Sequence, residues 1–256
     1  MKKLFVLAIA VSSLAQITSA VASHNVEEPK SSQVNEKFVR LQIEQNVSIG
    51  RAIKTIVGHY PQQAASIVGT ALDLYPDKYK EIIHSAISAQ PTLAEEVVTI
   101  ALSKGIASCT SIVETAINAD PSYVDFVVMA AAHSTPEQLT EIVRIAVMTE
   151  PDSADYIVQS LAKDHPNRII DILQSAIGAV PVVGEYVVEA LLAIFPNDAE
   201  EVITTAVHES SAERENVKKI IATAQNSGID TEKLHTYAIN GGATTEELSQ
   251  VLDNKP

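Results

Sequence analysis

The chain has 256 residues and a formal net charge of −14, from 32 Asp and Glu against 18 Lys and Arg. So acidic a chain lacks the basic surface that phosphate contacts need, which excludes nucleic acid as an expected partner and disfavours anionic membrane surfaces. Hydrophobic residues are 46% of the chain, enough for a buried core, but aromatic residues are only 4%. The core must therefore consist mainly of Ala, Val, Ile and Leu, and nine glycines argue against a turn-rich β fold.

Residues 1–22 have the organisation of a secretory signal peptide. Two lysines precede an apolar run of twelve residues, Leu4 to Ala15, and small residues then offer cleavage after Ala20 or Ala22. The run is too short to be a good membrane span, although a retained N-terminal anchor is the alternative. We therefore expect a periplasmic or secreted protein with no membrane span after cleavage.

Most of the chain is a tandem repeat of 15 residues. Prolines stand at positions 61, 76, 91, 121, 136, 151, 166, 181 and 196, and Ile106 occupies the equivalent place in the single interval of 30. Within each block, counted from the proline as position 0, positions 6, 7, 10 and 11 are always apolar and position 3 is mostly apolar. This is the i, i+3, i+4, i+7, i+8 stripe of an amphipathic helix, so each of the ten blocks over 61–210 predicts one short helix.

Pairs of blocks form the expected structural unit. Connections of about three residues make successive helices roughly antiparallel, which gives a helix pair of 30 residues. Alternate blocks also differ weakly in the type of residue at position 5, which divides the blocks into two classes. Position 5 is polar in one class and becomes aromatic toward the C-terminus in the other, at Phe126, Tyr156 and Tyr186. One helix cannot bury its apolar stripe alone, so the sequence predicts an all-α, right-handed α-solenoid of short antiparallel helices.

The residue after each proline is the predicted helix N-cap. Asp, Thr, Ser or Asn follows most of the prolines, and these residues cap helices well. The proline would then lie outside the helix and end the preceding one. The predicted caps are Asp77, Thr92, Ser122, Asp152, Asn167 and Asn197.

The flanks of the repeat differ from its centre. Residues 23–45 form a polar N-terminal segment, and Asn46 to Tyr60 reads as a degenerate eleventh unit, so the solenoid is expected over 46–210. Residues 211–256 are expected to form capping helices, because a solenoid needs atypical, more polar ends. A helix is predicted over 213–226, with two shorter units after it.

Tandem helices with a proline at each unit start resemble the α-solenoid class, which includes HEAT and tetratricopeptide arrays. The resemblance covers residues 61–210. It implies a protein-binding surface, since such arrays usually serve as one, but it carries over no functional residues. The 15-residue spacing is shorter than either family's unit, and the tetratricopeptide Trp-Leu-Gly-Tyr signature is absent.

Motifs for catalysis or metal binding are missing from the sequence. None of the seven histidines has metal-ligand spacing, and there is no phosphate-binding loop, nucleophile elbow or dinucleotide fingerprint. We therefore expect no enzyme, no cofactor and no metal. The single cysteine, Cys109, excludes an internal disulfide and falls on the apolar stripe, so we expect it to be buried.

Phe126, Tyr156 and Tyr186 are the candidate binding residues. They share position 5 in alternate blocks, so a regular stack would arrange them as a ladder along one face. The alternative is that position 5 flanks the apolar stripe and that the rings only widen the core. The preferred function is an exported, non-enzymatic scaffold that binds a protein or peptide. The alternatives are a periplasmic carrier of a hydrophobic ligand and a self-associating surface or structural protein.

Overall fold

The computed structural model describes residues 36–252, all within one compact unit. The signal peptide predicted for 1–22 lies outside the described residues. Residues 36–252 contain fifteen α-helices and no β-strand. The helices are α1 (Glu36–Glu44), α2 (Ile49–His59), α3 (Ala64–Leu74), α4 (Tyr79–Ala89), α5 (Ala94–Ser103), α6 (Cys109–Ala119), α7 (Val124–Ser134), α8 (Leu139–Thr149), α9 (Ala154–Asp164), α10 (Ile169–Ala179), α11 (Gly184–Ile194), α12 (Ala199–Glu209), α13 (Arg214–Asn226), α14 (Thr231–Asn240) and α15 (Thr245–Leu252).

The helices are stacked in two layers. Each helix contacts the next one in the chain and also the second next, so the odd-numbered helices form one layer and the even-numbered helices form the other. Two consecutive helices are therefore one step of the stack, which confirms the expected 30-residue helix pair. The described part of the chain is an all-α solenoid.

The core is the apolar stripe that the repeat predicts. Positions 6, 7 and 10 are buried in all ten blocks, and positions 3 and 11 are buried in nearly all. The alanines at position 10 have no exposed surface, and they let helix axes approach closely where a larger side chain would hold them apart. They are Ala71, Ala86, Ala101, Ala116, Ala131, Ala146, Ala176 and Ala206.

The predicted position of the helix caps is wrong. All nine repeat prolines open a three-residue 3₁₀ turn that runs directly into the α-helix. Pro61 is typical: the backbone N–H groups of Gln63 and Ala64 donate to the carbonyls of Tyr60 and Pro61. Because proline has no N–H and its fixed φ suits a helix start, few donors remain for a side-chain cap. None of the six predicted side chains accepts a capping hydrogen bond.

The one block without a proline begins differently. Helix α5 ends before Gly105, whose φ of +60° lies in the left-handed region that favours glycine. Helix α6 then starts with a side-chain cap, since Ser108 Oγ accepts a hydrogen bond from the backbone N–H of Ser111 at 3.3 Å. In this block a serine cap therefore starts the helix, whereas a proline starts it in the other blocks.

Both ends of the stack carry additional helices. At the start, α1 lies within the segment assigned from sequence to a polar stretch over 23–45, and its Val39 is fully buried. Helix α2 corresponds to the degenerate eleventh unit. At the other end, α13 corresponds to the helix predicted for 213–226. Helix α14 is capped by Asp230, whose carboxylate accepts from the N–H groups of Glu232 and Lys233. Thr244 and Glu247 form a reciprocal capping box at α15.

Candidate binding surface

The three candidate aromatic residues lie on consecutive helices of the odd layer. Phe126 is on α7, Tyr156 on α9 and Tyr186 on α11, each at position 5 of its block. Helix α7 contacts α9, and α9 contacts α11. The axes of packed neighbouring helices typically lie about 8–10 Å apart, and this is the separation we expect between neighbouring rings. We call these three residues the aromatic row.

The aromatic row is exposed. Phe126 is 47% exposed, Tyr156 64% and Tyr186 55%, while the residues directly after each of them belong to the core. These values answer the question that the sequence left open, because rings that only widened the core would be largely covered. Val182, 55% exposed, lies one turn before Tyr186 and extends the apolar surface.

A groove separates the first two members of the row. It has a volume of about 280 Å³ and lies between the starts of α7 and α9, where Asp125 and Tyr156 are among its lining residues. On the α7 side, the rings of Tyr123 and Phe126 are in tilted contact at 5.6 Å between centroids. The groove thus brings a carboxylate of one helix and an aromatic ring of the next odd helix to the same depression.

Negative charge also acts on Tyr186. The Glu185 carboxylate, which directly precedes it in the sequence, raises the pKa of the Tyr186 hydroxyl, with smaller contributions from burial and from the charge of Asp152. Asp152 precedes α9, whereas Tyr186 belongs to α11, so acids of two odd-layer blocks contribute to this shift.

Two further grooves lie on the even layer. One, of about 380 Å³, is lined by Lys80, Glu81, His84, Ser85, Glu114, Thr115 and Asn118. The other, of about 530 Å³, is lined by Asn197, Asp198, Glu200, Glu201, Thr204, Thr205 and Asn240. No Phe or Tyr side chain lines either of these two grooves, which distinguishes them from the groove beside Tyr156.

The remaining chemically reactive groups are dispersed. Within 36–252, no three His, Cys, Asp or Glu side chains are grouped so that they could hold a metal ion. Cys109 is buried, as expected, and burial raises the pKa of its thiol, which keeps it in the unreactive thiol form. Over the same residues, no helix has the length and apolar character needed to cross a membrane.

Comparison with known proteins finds no matching family, no similar curated protein and no similar solved structure.

Sequence reasoning identified the aromatic row but not the groups around it. It treated Asp125 and Asp152 only as helix-start residues, and it did not single out Tyr123 or Val182. The sequence does contain a signal for these acids, because Asp125, Asp152 and Glu185 all lie at position 1 or 4 of an odd-layer block. Which ring each acid approaches depends on how the odd helices pack together, and that contact joins residues about 30 positions apart.

Proposed function

We propose that this chain is an exported, non-enzymatic helical-repeat scaffold that binds a protein or peptide partner through the aromatic row. One observation carries the proposal: three large aromatic side chains recur on one face, at the same position of consecutive odd-layer helices, and remain about half exposed. Aromatic residues are scarce in this chain, and exposed aromatic patches are typical of interaction sites.

The layered construction supports this role. Every helix is fixed by a core of fully buried side chains, so the position 5 side chains project from a rigid support. A binding surface that is already ordered loses little conformational entropy when the partner arrives. Export is inferred from residues 1–22, and the partner is accordingly expected in the periplasm or outside the cell.

The test compares two triple variants of the purified mature protein. Phe126→Ser, Tyr156→Ser and Tyr186→Ser together remove the row. Glu141→Ser, Asp171→Ser and Glu201→Ser change position 5 of the even-layer block that follows each of the three blocks that carry the row, and serve as the matched control. Each protein is used to capture partners from the periplasmic and secreted proteins of the source cells. A captured protein is identified, purified and titrated by calorimetry.

We expect one identified partner to bind the wild-type protein and the even-layer control directly, and not the row variant. Circular dichroism and thermal unfolding establish that the row variant is folded. Equal affinity of all three proteins for the partner would show that the row is not the binding surface.

Two other functions are separated by the same preparations. A self-associating protein would show a mass above the monomer by light scattering, and the row variant would return it to the monomer. A carrier would release a bound hydrophobic compound on extraction with organic solvent. A monomer free of such a compound, combined with binding of a purified partner, supports the scaffold function.

A further inference from the structure

The carboxylates around the aromatic row determine which partner chemistry the row favours. The three odd-layer blocks that carry the row, 121–135, 151–165 and 181–195, contain six acidic residues and one basic residue, Lys163. Lys163 lies seven residues beyond Tyr156, about 10 Å along the helix, and its ammonium donates to Gln159 at 3.2 Å.

Most of these acids have no basic partner within the described residues. Asp164 pairs with His133 and His165, whereas the other five form no salt bridge. The five are Asp125, Asp152, Asp155, Glu185 and Glu189. On the even layer, Arg144 pairs with Glu141 and Arg168 with Asp171, whereas Glu137, Glu200 and Glu201 form no salt bridge within residues 36–252. The surface around the row therefore combines acids that have no salt-bridge partner with exposed aromatic rings.

Cationic side chains complement both features of this surface. A positive group is attracted to the face of an aromatic ring and to a carboxylate, and the guanidinium of arginine can stack on the ring while it donates two parallel hydrogen bonds to the acid. The groove that Asp125 and Tyr156 line offers this combination, and Glu185 directly precedes Tyr186 in the sequence.

The spacing of the row defines the conformation of the partner. From the usual distance between packed helix axes, we expect neighbouring rings about 8–10 Å apart. A polyproline II segment repeats its side-chain direction after three residues of about 3.1 Å each, that is about every 9 Å. A β-strand repeats its side-chain direction after two residues, about 6.7 Å, which is shorter than the distance expected between neighbouring rings.

Resting on the proposed function, we infer that the aromatic row binds an extended, cationic peptide segment of polyproline II conformation with arginine or lysine at every third residue. Each cation lies against one ring and the carboxylate beside it. The segment crosses α7, α9 and α11 in order, and its intervening residues make few contacts.

The experiment uses two fluorescein-labelled nonapeptides of equal composition, each with three arginines among prolines. The first has an arginine at every third position, and the second has its arginines contiguous. Binding to the mature protein is measured by fluorescence anisotropy at about 50 and about 150 mM salt. We expect the spaced peptide to bind at least about tenfold more tightly than the contiguous one at the higher salt.

Two charge variants separate local from general electrostatics. Asp125→Asn, Asp152→Asn and Glu185→Gln neutralise acids beside the row. Glu137→Gln, Glu200→Gln and Glu201→Gln neutralise the same number of exposed, unpaired acids on the even layer and are the matched control. The first variant is expected to lose about tenfold in affinity for the spaced peptide and to show a weaker salt dependence, and the control to stay within about twofold.

Three results would overturn the inference: equal affinity for the two peptides, equal loss in the two charge variants, or no binding of either peptide. The last result distinguishes this inference from the proposed function. If a purified partner binds the wild-type protein and not the Phe126, Tyr156 and Tyr186 variant, while neither peptide binds, the scaffold function stands and the cationic partner is rejected.

Discussion

Arg214 and Glu247 form a salt bridge although 33 residues separate them in the sequence. Arg214 is the first residue of α13, and its Nε donates to Glu247 Oε1 at 2.6 Å, while its Nη2 donates to the second carboxylate oxygen. The backbone N–H of Thr244 also donates to Glu247, at 2.8 Å, and the glutamate is only 7% exposed. The bridge therefore attaches the last described helix, α15, to the rest of the stack.

The Glu247 carboxylate should make stability depend on pH. Burial alone would raise the pKa of Glu247, but the hydrogen bonds from Arg214 and Thr244 outweigh it and lower this pKa below its ordinary value of 4.5. A lowered pKa in the folded state contributes stability that is complete above pH 4.5 and is lost as the pH falls through the folded-state value. We expect Glu247→Gln to reduce the free energy of unfolding by about 1–3 kcal/mol at pH 7, with a smaller difference from wild type at pH 3.

Urea unfolding of both proteins at the two pH values measures this effect. The neighbouring Glu246→Gln is the control, since Glu246 contacts only Gln250, at 3.4 Å, among the described residues. An equal reduction at pH 7 and pH 3 would mean that the charge of Glu247 does not contribute.

Two glycines should respond in opposite ways to alanine. A Cβ atom on Gly241 would lie 2.6 Å from the carbonyl oxygen of Thr204 and 2.7 Å from Val207 Cβ, so the packing of α12 against this segment would have to shift. A Cβ atom on Gly178, inside α10, would meet nothing within 4 Å. We expect Gly178→Ala to stabilise by about 0.5–1 kcal/mol through helix propensity, and Gly241→Ala to destabilise by about 1–3 kcal/mol through overpacking. Thermal unfolding of both variants decides this, and a higher melting temperature for Gly241→Ala would contradict the close approach.

The solenoid was predictable because its two main signals are local and recurrent: the apolar stripe occurs in all ten blocks and the proline in nine. Apolar spacing within one block specifies a helix and its buried face, and the prolines specify the period, so the core positions in the structure are those read from the sequence. The helix starts were not predicted correctly. Asp, Thr or Asn after a proline has the composition of an N-cap, and only the backbone geometry shows that a 3₁₀ turn has already satisfied the donors.

The candidate surface was predictable only in part, for a different reason. Phe126, Tyr156 and Tyr186 share a position that the sequence alone identifies, but position 5 borders the core stripe, so neighbouring helices decide whether it is covered. Asp125 and Tyr156 line the same groove because α7 packs against α9, and the 15-residue period of the sequence does not specify that packing.

The corrected helix starts give a direct mutational test. Ser108 caps α6, so Ser108→Ala is expected to cost about 1 kcal/mol of stability. Thr92 was a predicted cap but accepts no capping hydrogen bond in the structure, so Thr92→Ala is expected to change stability by less than about 0.5 kcal/mol. Urea unfolding compares the two, and a larger loss for Thr92→Ala would restore the sequence-based assignment.

The close approach of helices at position 10 gives the final prediction. Ala116 on α6 is fully buried, and α6 contacts α4, α5, α7 and α8, so it is packed against helices of both layers. Ala116→Leu adds three carbon atoms where the side chain has no free surface, and overpacking of this kind typically costs about 1–3 kcal/mol. Asn118→Leu places the same side chain two residues later at an exposed site of the same helix, where the change should stay within about 0.5 kcal/mol. Thermal unfolding measures both, and Asn118→Leu shows the effect of a leucine added to this helix outside the core. If Ala116→Leu leaves the melting temperature unchanged, the close approach of the helices does not depend on a small side chain at position 10.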